Sequence, residues 1–127
     1  MKNTFGSALC LTIFGESHGA GVGAVLDGMA AGVPVDPAAL AALMDKRRAR
    51  GDGLSTARVE ADEVRILSGV VNGRTTGTPL TLLIENHNTR SGDYAATAAL
   101  LRPGHADYTA YVRYRGWQDA RGGGHFS

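Results

Sequence analysis

Ala8-Leu9-Cys10-Leu11-Thr12-Ile13-Phe14-Gly15-Glu16-Ser17-His18-Gly19-Ala20-Gly21-Val22-Gly23-Ala24-Val25-Leu26-Asp27-Gly28 is the stretch on which the fold turns. Ala8 to Phe14 is apolar, partly β-branched and stopped by Gly15, which predicts a buried strand. Gly15 to Gly19 reads as a loop, and Val22 to Leu26 as a second strand closed by Asp27-Gly28. The same residues also fit G-x-S-x-G, the strand-to-helix turn that exposes the nucleophile of α/β-hydrolases. Ser17, Asp107 and His125 even follow the hydrolase order of nucleophile, acid and base. That turn must open into a helix, however, and Ala20-Gly21-Val22-Gly23-Ala24-Val25 carries two glycines and β-branched residues instead. It also falls too early in the chain for the strands that normally precede it. The stretch therefore reads strand, loop, strand, and a serine hydrolase using Ser17 is kept as an alternative.

Working outward, Val33-Pro34-Val35-Asp36-Pro37 announces a helix, with Asp36 as N-cap and Pro37 at the first helical position. Val35 and Leu40 suit a hydrophobic staple, and Leu40, Leu43 and Met44 form an apolar stripe that reads as core. Lys46-Arg47-Arg48 places positive charge at the C-terminal end, where the helix dipole favours it. Residues 49–61 read as a surface loop. Val64 to Leu67 and Pro79 to Ile84 read as strands, and Asn72-Gly73 between them is a strong hairpin-turn signal. Asn86 to Asp93 is polar loop, Tyr94 to Leu101 an Ala-rich helix, and His105 to Tyr114 a second short helix broken by Gly116. Strands and helices interleave in one unit, and the hairpin argues against a purely parallel sheet, so the fold class is a mixture of α and β.

The 127 residues make at most one domain of ordinary size, and 43% hydrophobic with 20% charged residues is a globular profile. No apolar run approaches the ~18 residues of a membrane span, and the N-terminus lacks a secretory signal pattern. The expected compartment is the cytosol, with no membrane partner. The single cysteine, Cys10, excludes an internal disulfide and a Cys-rich zinc site. Glycine, 18 of 127 residues, is about twice its usual ~7%, which points to tight turns or close backbone approach to a ligand. Eleven of the 13 basic residues are arginine, the side chain that grips phosphate and carboxylate through a fork. Net charge is only +1, so a nucleic-acid surface is not expected; a small anionic molecule is the better partner. Arg65, Arg74 and Arg90 read as scattered solvated arginines.

Three clusters could carry chemistry. His18 sits in a glycine-flanked loop where it is expected to be accessible, and imidazole is the side chain suited to proton transfer at neutral pH. On spacing alone, a loop histidine making one structural hydrogen bond is the preferred reading. Arg102-Pro103-Gly104-His105-Ala106-Asp107 combines a phosphate-binding candidate, a proton-transfer candidate and a carboxylate in one turn; the bland reading is a turn with a capping aspartate. Arg121-Gly122-Gly123-Gly124-His125-Phe126-Ser127 offers free amides that could cradle a phosphate, without the lysine or spacing of a P-loop. With four histidines and no ligand spacing, no metal site is expected. A non-catalytic anion-binding module built on Arg48 and the glycine loop is a third alternative.

Taken together and in order, these segments resemble the chorismate synthase family. The match runs through Gly15-Glu16-Ser17-His18-Gly19, Val25-Leu26-Asp27-Gly28, Arg47-Arg48 and Ile66-Leu67-Ser68-Gly69-Val70. It continues through Thr75-Thr76-Gly77-Thr78-Pro79, Leu83-Ile84-Glu85-Asn86, Arg90-Ser91-Gly92-Asp93-Tyr94, Arg102-Pro103-Gly104-His105-Ala106-Asp107 and Arg121-Gly122-Gly123-Gly124. The resemblance implies an α+β fold, a β-α-β sandwich of which residues 1–127 form the N-terminal part of a single domain. It implies a lyase that converts 5-enolpyruvylshikimate 3-phosphate to chorismate and phosphate by 1,4-anti elimination, using reduced FMN, with NADPH as candidate reductant of the flavin. A homotetramer is implied for the full-length protein.

Residue by residue, the resemblance makes His18 and His105 the two catalytic histidines and Ser17 and Arg102 substrate contacts. It makes Arg48, with Arg47, the anion-binding group at the helix end. His125, Phe126 and Ser127 fall where flavin contacts begin, with His105 near the flavin as well. Ala30 stands where the family usually has proline, and Arg50 is the nearest substitute for a second anion-binding arginine. The chain ends at Ser127 directly after a glycine run, which reads as a cut through a longer protein; alone, it is expected neither to hold FMN tightly nor to catalyse elimination.

Overall fold

The structure, a computed structural model, describes residues 2–16, 18–47, 63–87 and 107–118, with Arg47 and Asp107 described by backbone alone. The predicted helix at 94–101 lies outside them. Among the described residues, seven strands and two helices follow in the order β1 (Thr4–Gly6), β2 (Cys10–Gly15), β3 (Gly21–Asp27), α1 (Pro37–Arg47), β4 (Val64–Ser68), β5 (Val70–Val71), β6 (Arg74–Thr75), β7 (Leu80–Glu85) and α2 (Asp107–Tyr114). Strands β1-β2-β3-β7-β4 form a five-stranded sheet in that order, and β5-β6 a two-stranded one. Pairing is antiparallel between β1 and β2, β4 and β7, and β5 and β6. The fold class is α+β, as the family resemblance implies; the interleaved pattern by itself indicates only a mixture of α and β.

Local sequence explains the elements. Asp36 caps α1 as expected: its Oδ1 accepts the Ala38 N–H at 2.9 Å, and its carbonyl accepts the Leu40 N–H at 3.1 Å. Pro37 at the first helical position has no N–H to leave orphaned. Asn72 and Gly73 form the β5–β6 turn, both at positive φ (49° and 70°), the mirror-image turn whose twist suits a hairpin. Helix α2 ends where Arg115 turns to φ 55° and the Gly116 N–H reaches back to the Tyr111 carbonyl at 3.0 Å, a C-terminal closure that satisfies a carbonyl otherwise left open. Strands β4 and β7 pair from Val64↔Ile84 to Ser68↔Thr81, with a bulge between Ile66 and Ser68. On one face of this pair, Arg65 donates to Glu85 at 2.6 Å; the other face carries Val64, Ile66, Leu82 and Ile84.

Three expectations are corrected. β1 has no counterpart in the sequence reading; Thr4–Gly6 is too short to show a period, and pairs with β2 through Thr4↔Thr12, Phe5↔Leu11 and Gly6↔Cys10. The stretch Ala8–Phe14 is a strand from Cys10 onward but is not buried. Phe5, Leu11 and Ile13, which share one face, are 57%, 36% and 48% exposed, and Phe14 on the other is 43%. The α1 stripe is likewise only partly covered: Leu40 and Met44 are half-buried, while Leu43 is exposed. Among the described residues, the buried apolar side chains are Leu80 and Ala110. An unbroken apolar run does report a strand covered on both faces; here the cover is not supplied by the described residues.

The residues divide into two compact units: Met1–Ile13 with Gly23–Glu85, and Phe14–Val22 with Asn86–Ser127. The first holds α1, the β5–β6 hairpin and most of the sheet. The second holds the β2–β3 turn and α2.

Candidate active site

The second unit places His18. Gly15 ends β2 at φ 104°, a conformation that L side chains rarely adopt, with the carbonyl of Gly21 and the Cα of Val22 packed where a Cβ would stand. The chain then makes a tight turn in which the Gly19 N–H donates to the Glu16 carbonyl at 3.0 Å, with His18 inside it. At its far side the Ala20 carbonyl accepts the Asn86 N–H at 2.9 Å. Gly21 opens β3 directly.

This geometry settles the hydrolase alternative against it. A nucleophile elbow requires a helix after the serine, and here the segment passes from strand through turn to strand. It also corrects the expected accessibility of His18, which is buried, at 4% exposed. A buried polar ring in a turn is not what a solvated loop histidine looks like; burial of this kind marks either a structural anchor or a group withdrawn from water to act on a ligand.

Of the other sequence-derived candidates, Arg47 is the last residue of α1, as expected, and its backbone alone is described. Ser17, Arg48, Arg50, Arg102, His105, His125, Phe126 and Ser127 lie outside the described residues, as does the Arg121–Gly124 loop. Among the described residues, no three His, Cys, Asp or Glu side chains come together to hold a metal, and no helix is long and apolar enough to cross a membrane. Arg65 and Arg74 were read as merely solvated. Arg65 is a solvated partner of Glu85, whereas Arg74 donates to the Gly32 carbonyl at 2.8 Å and so has a structural task. The residue that sequence reasoning passed over is Thr75, which is 4% exposed and joins segments more than forty residues apart. Its only sequence signal is a hydroxyl just after the Asn-Gly turn.

What the fold defines is an α+β chain on an antiparallel sheet, with a buried histidine in a strand-to-strand turn and a helix ending in cationic residues. Comparison with known proteins narrows this class. The family model described as chorismate synthase matches residues 9–127, and the chain belongs to that family. It is 53% identical over 125 residues to a chorismate synthase of Campylobacter fetus, covering 98% of this chain and 35% of that protein. It is 50% identical to one of Desulfovibrio desulfuricans, covering 98% and 34%. A crystal structure of chorismate synthase superposes with a TM-score of 0.56 at 31% identity, covering 89% of this chain and 26% of the other. The chain thus spans about a third of the length of the curated relatives it matches.

A chimera in which this chain replaces the matching third of the Campylobacter fetus protein gives a full-length background for tests. In it, Gly15→Ala is expected to destabilise by about 1–3 kcal/mol, the usual cost of holding a side chain in a sparsely populated backbone region. The midpoint of urea unfolding reads this directly, and an unchanged midpoint contradicts the crowding around Gly15.

Proposed function

We propose that this chain supplies the N-terminal part of the active site of a chorismate synthase. The reaction is a 1,4-anti elimination of phosphate from 5-enolpyruvylshikimate 3-phosphate, carried out by a cytoplasmic homotetramer in which residues 1–127 are part of a single domain. The observation that carries this is the buried imidazole of His18, at the centre of a strand-to-strand turn, in a chain matched by the family from residue 9 to residue 127.

The residues support the chemistry in the following way. Loss of phosphate builds negative charge on the leaving group, and cations held beside it stabilise that charge. A substrate with carboxylates and a phosphate asks for several forked cations, the role assigned to Arg47, Arg48, Arg50 and Arg102, with Ser17 as a further contact. His105 is assigned to the departing phosphate and His18 to proton donation toward the flavin, each as an imidazole able to hold or release a proton. Reduced FMN fits a site of this kind. The turn at His18 sets a buried imidazole between Glu16 and Gly19, a group able to hold a proton beside such a ring. Residues 125–127 are proposed as further contacts. When bound, the reduced flavin supplies the electron-rich partner that the elimination needs, and NADPH is the proposed source of its electrons.

The test is chorismate formation by the chimera, assayed anaerobically with photoreduced FMN. Turnover dependent on flavin and on the phosphorylated substrate is expected, and a soluble, folded chimera without it overturns the proposal. In the same background His105→Ala is expected to lower kcat by about a hundredfold or more, as loss of a general acid does. A rate within a few-fold of the parent removes His105 from the mechanism.

A further inference from the structure

Outside the His18 turn, the hydrogen bonds of the first unit converge on Thr75. Its Oγ1 donates to the Ala30 carbonyl at 2.7 Å and accepts the Val33 N–H at 2.9 Å. Its backbone N–H donates to the Val33 carbonyl at 2.9 Å, and its carbonyl accepts the Gly32 N–H at 2.7 Å. The Val35 N–H donates to the Gly73 carbonyl at 2.9 Å, Arg74 Nη1 to the Gly32 carbonyl at 2.8 Å, and Pro34 bridges to Arg74. Residues 30–35 are thereby laid along β6 as a third, irregular strand. They run straight into the Asp36 cap and α1.

Among the described residues, little else holds the helix that follows. Only Leu40 and Met44 of the α1 side chains described are even half-buried, and Leu43 is 59% exposed. A helix of this length projects about 15 Å from its first residue, so a tilt of about 10° at the base moves the far end by about 2–3 Å. Placement of its cationic end depends on how firmly the base is fixed.

We propose that Thr75 is a positioning residue: its buried hydroxyl fixes the direction in which α1 leaves the β5–β6 hairpin, and so sets the place of Arg47 against the substrate phosphate. This rests on the reading of that helix end as the anion-binding group. Valine keeps the shape of threonine but withdraws both hydroxyl bonds, leaving the Ala30 carbonyl and Val33 N–H without that partner. Serine keeps them.

The experiment is steady-state kinetics in the chimera, with 5-enolpyruvylshikimate 3-phosphate varied. Thr75→Val is expected to raise KM about tenfold with kcat changed less than about threefold, the pattern of weakened ground-state binding. Thr75→Ser is expected to stay within about twofold of the parent in both. In an Arg47→Ala, Arg48→Ala background, Thr75→Val should add less than about twofold to KM, because residues that act through one another are not additive. If the arginine variant raises KM and Thr75→Val does not, or if the two effects multiply independently, Thr75 has no positioning role. If the arginine variant itself leaves KM unchanged, the anion-binding reading of the helix end fails and the proposal falls with it. Should Thr75→Val not accumulate as folded protein, Arg74→Met decides. That variant removes the exposed bond to Gly32; a KM raised about two- to threefold supports the role of the clamp, and an unchanged KM overturns it.

Discussion

His18→Ala in the full-length chimera is expected to lower kcat by about 10²–10⁴-fold, the range over which a positioned proton-transfer group contributes, with substrate KM little changed. The reasoning is geometric. His18 lies in a turn closed by the Gly19-to-Glu16 hydrogen bond and pinned at Ala20 by Asn86, so backbone bonds on both sides hold the turn whatever occupies position 18. Its ring is nevertheless buried, an environment in which a histidine is costly unless it is used or satisfied. The two roles separate on measurement. A merely structural histidine would, when truncated, lower the unfolding midpoint and leave turnover per folded molecule near that of the parent. A proton-transfer histidine would lose turnover with the midpoint little changed, and His18→Asn, which keeps a polar side chain, would not restore it.

The second large effect concerns the 127-residue chain by itself. It is expected to show no cooperative unfolding transition, to bind a dye that reports exposed apolar surface, and to form chorismate at a rate indistinguishable from background. The described residues bury only Leu80 and Ala110 among the apolar side chains, while Phe5, Ile13, Leu67, Val71, Val112 and Trp117 stand about half or more exposed. A domain is stabilised by apolar burial at about 25 cal/mol per Å² set against backbone entropy of about 1–2 kcal/mol per residue, and the sparse core among the described residues supplies little of the first. Joined to the remaining two-thirds of a relative, the same residues gain partners for these faces, and the transition is expected to become cooperative. A sharp urea transition and a native-like fluorescence blue shift of Trp117 in the isolated chain would contradict the argument.

The sequence was most informative where structure is decided within a few residues. Asp36-Pro37 announced α1 because cap and first-turn geometry are local, and Asn72-Gly73 announced its hairpin because only such residues take both left-handed positions cheaply. The strand-turn-strand reading of residues 8–28 held for the same reason: the glycines and valines after Gly19 do not propagate a helix. What could not be read depends on distant partners. The bonds from Thr75 reach back more than forty residues, and no periodicity reports them. The burial of His18 is likewise set by what folds around the turn, so its loop looked open in one dimension and is closed in three. The apolar run at β2 predicts a buried strand, although a run shows only that cover is wanted. Of the candidate site, two positions are placed in the described structure, His18 in its turn and Arg47 at the close of α1; the others rest on family membership.

The nesting of the β5–β6 hairpin between β4 and β7 has a consequence for synthesis of the protein. Residues 64–85 can form the β4–β7 and β5–β6 ladders as soon as they clear the ribosome, since the partners within those two ladders are close by in the nascent chain. Strand β3 must wait, its edge open from Asp27 until Leu80 arrives, because its neighbour in the sheet is β7. During that interval an unpaired strand edge is exposed to association with other chains. A pause in translation once Glu85 has cleared the exit tunnel would let β7 dock on β3 before the glycine-rich stretch near Ser127 emerges.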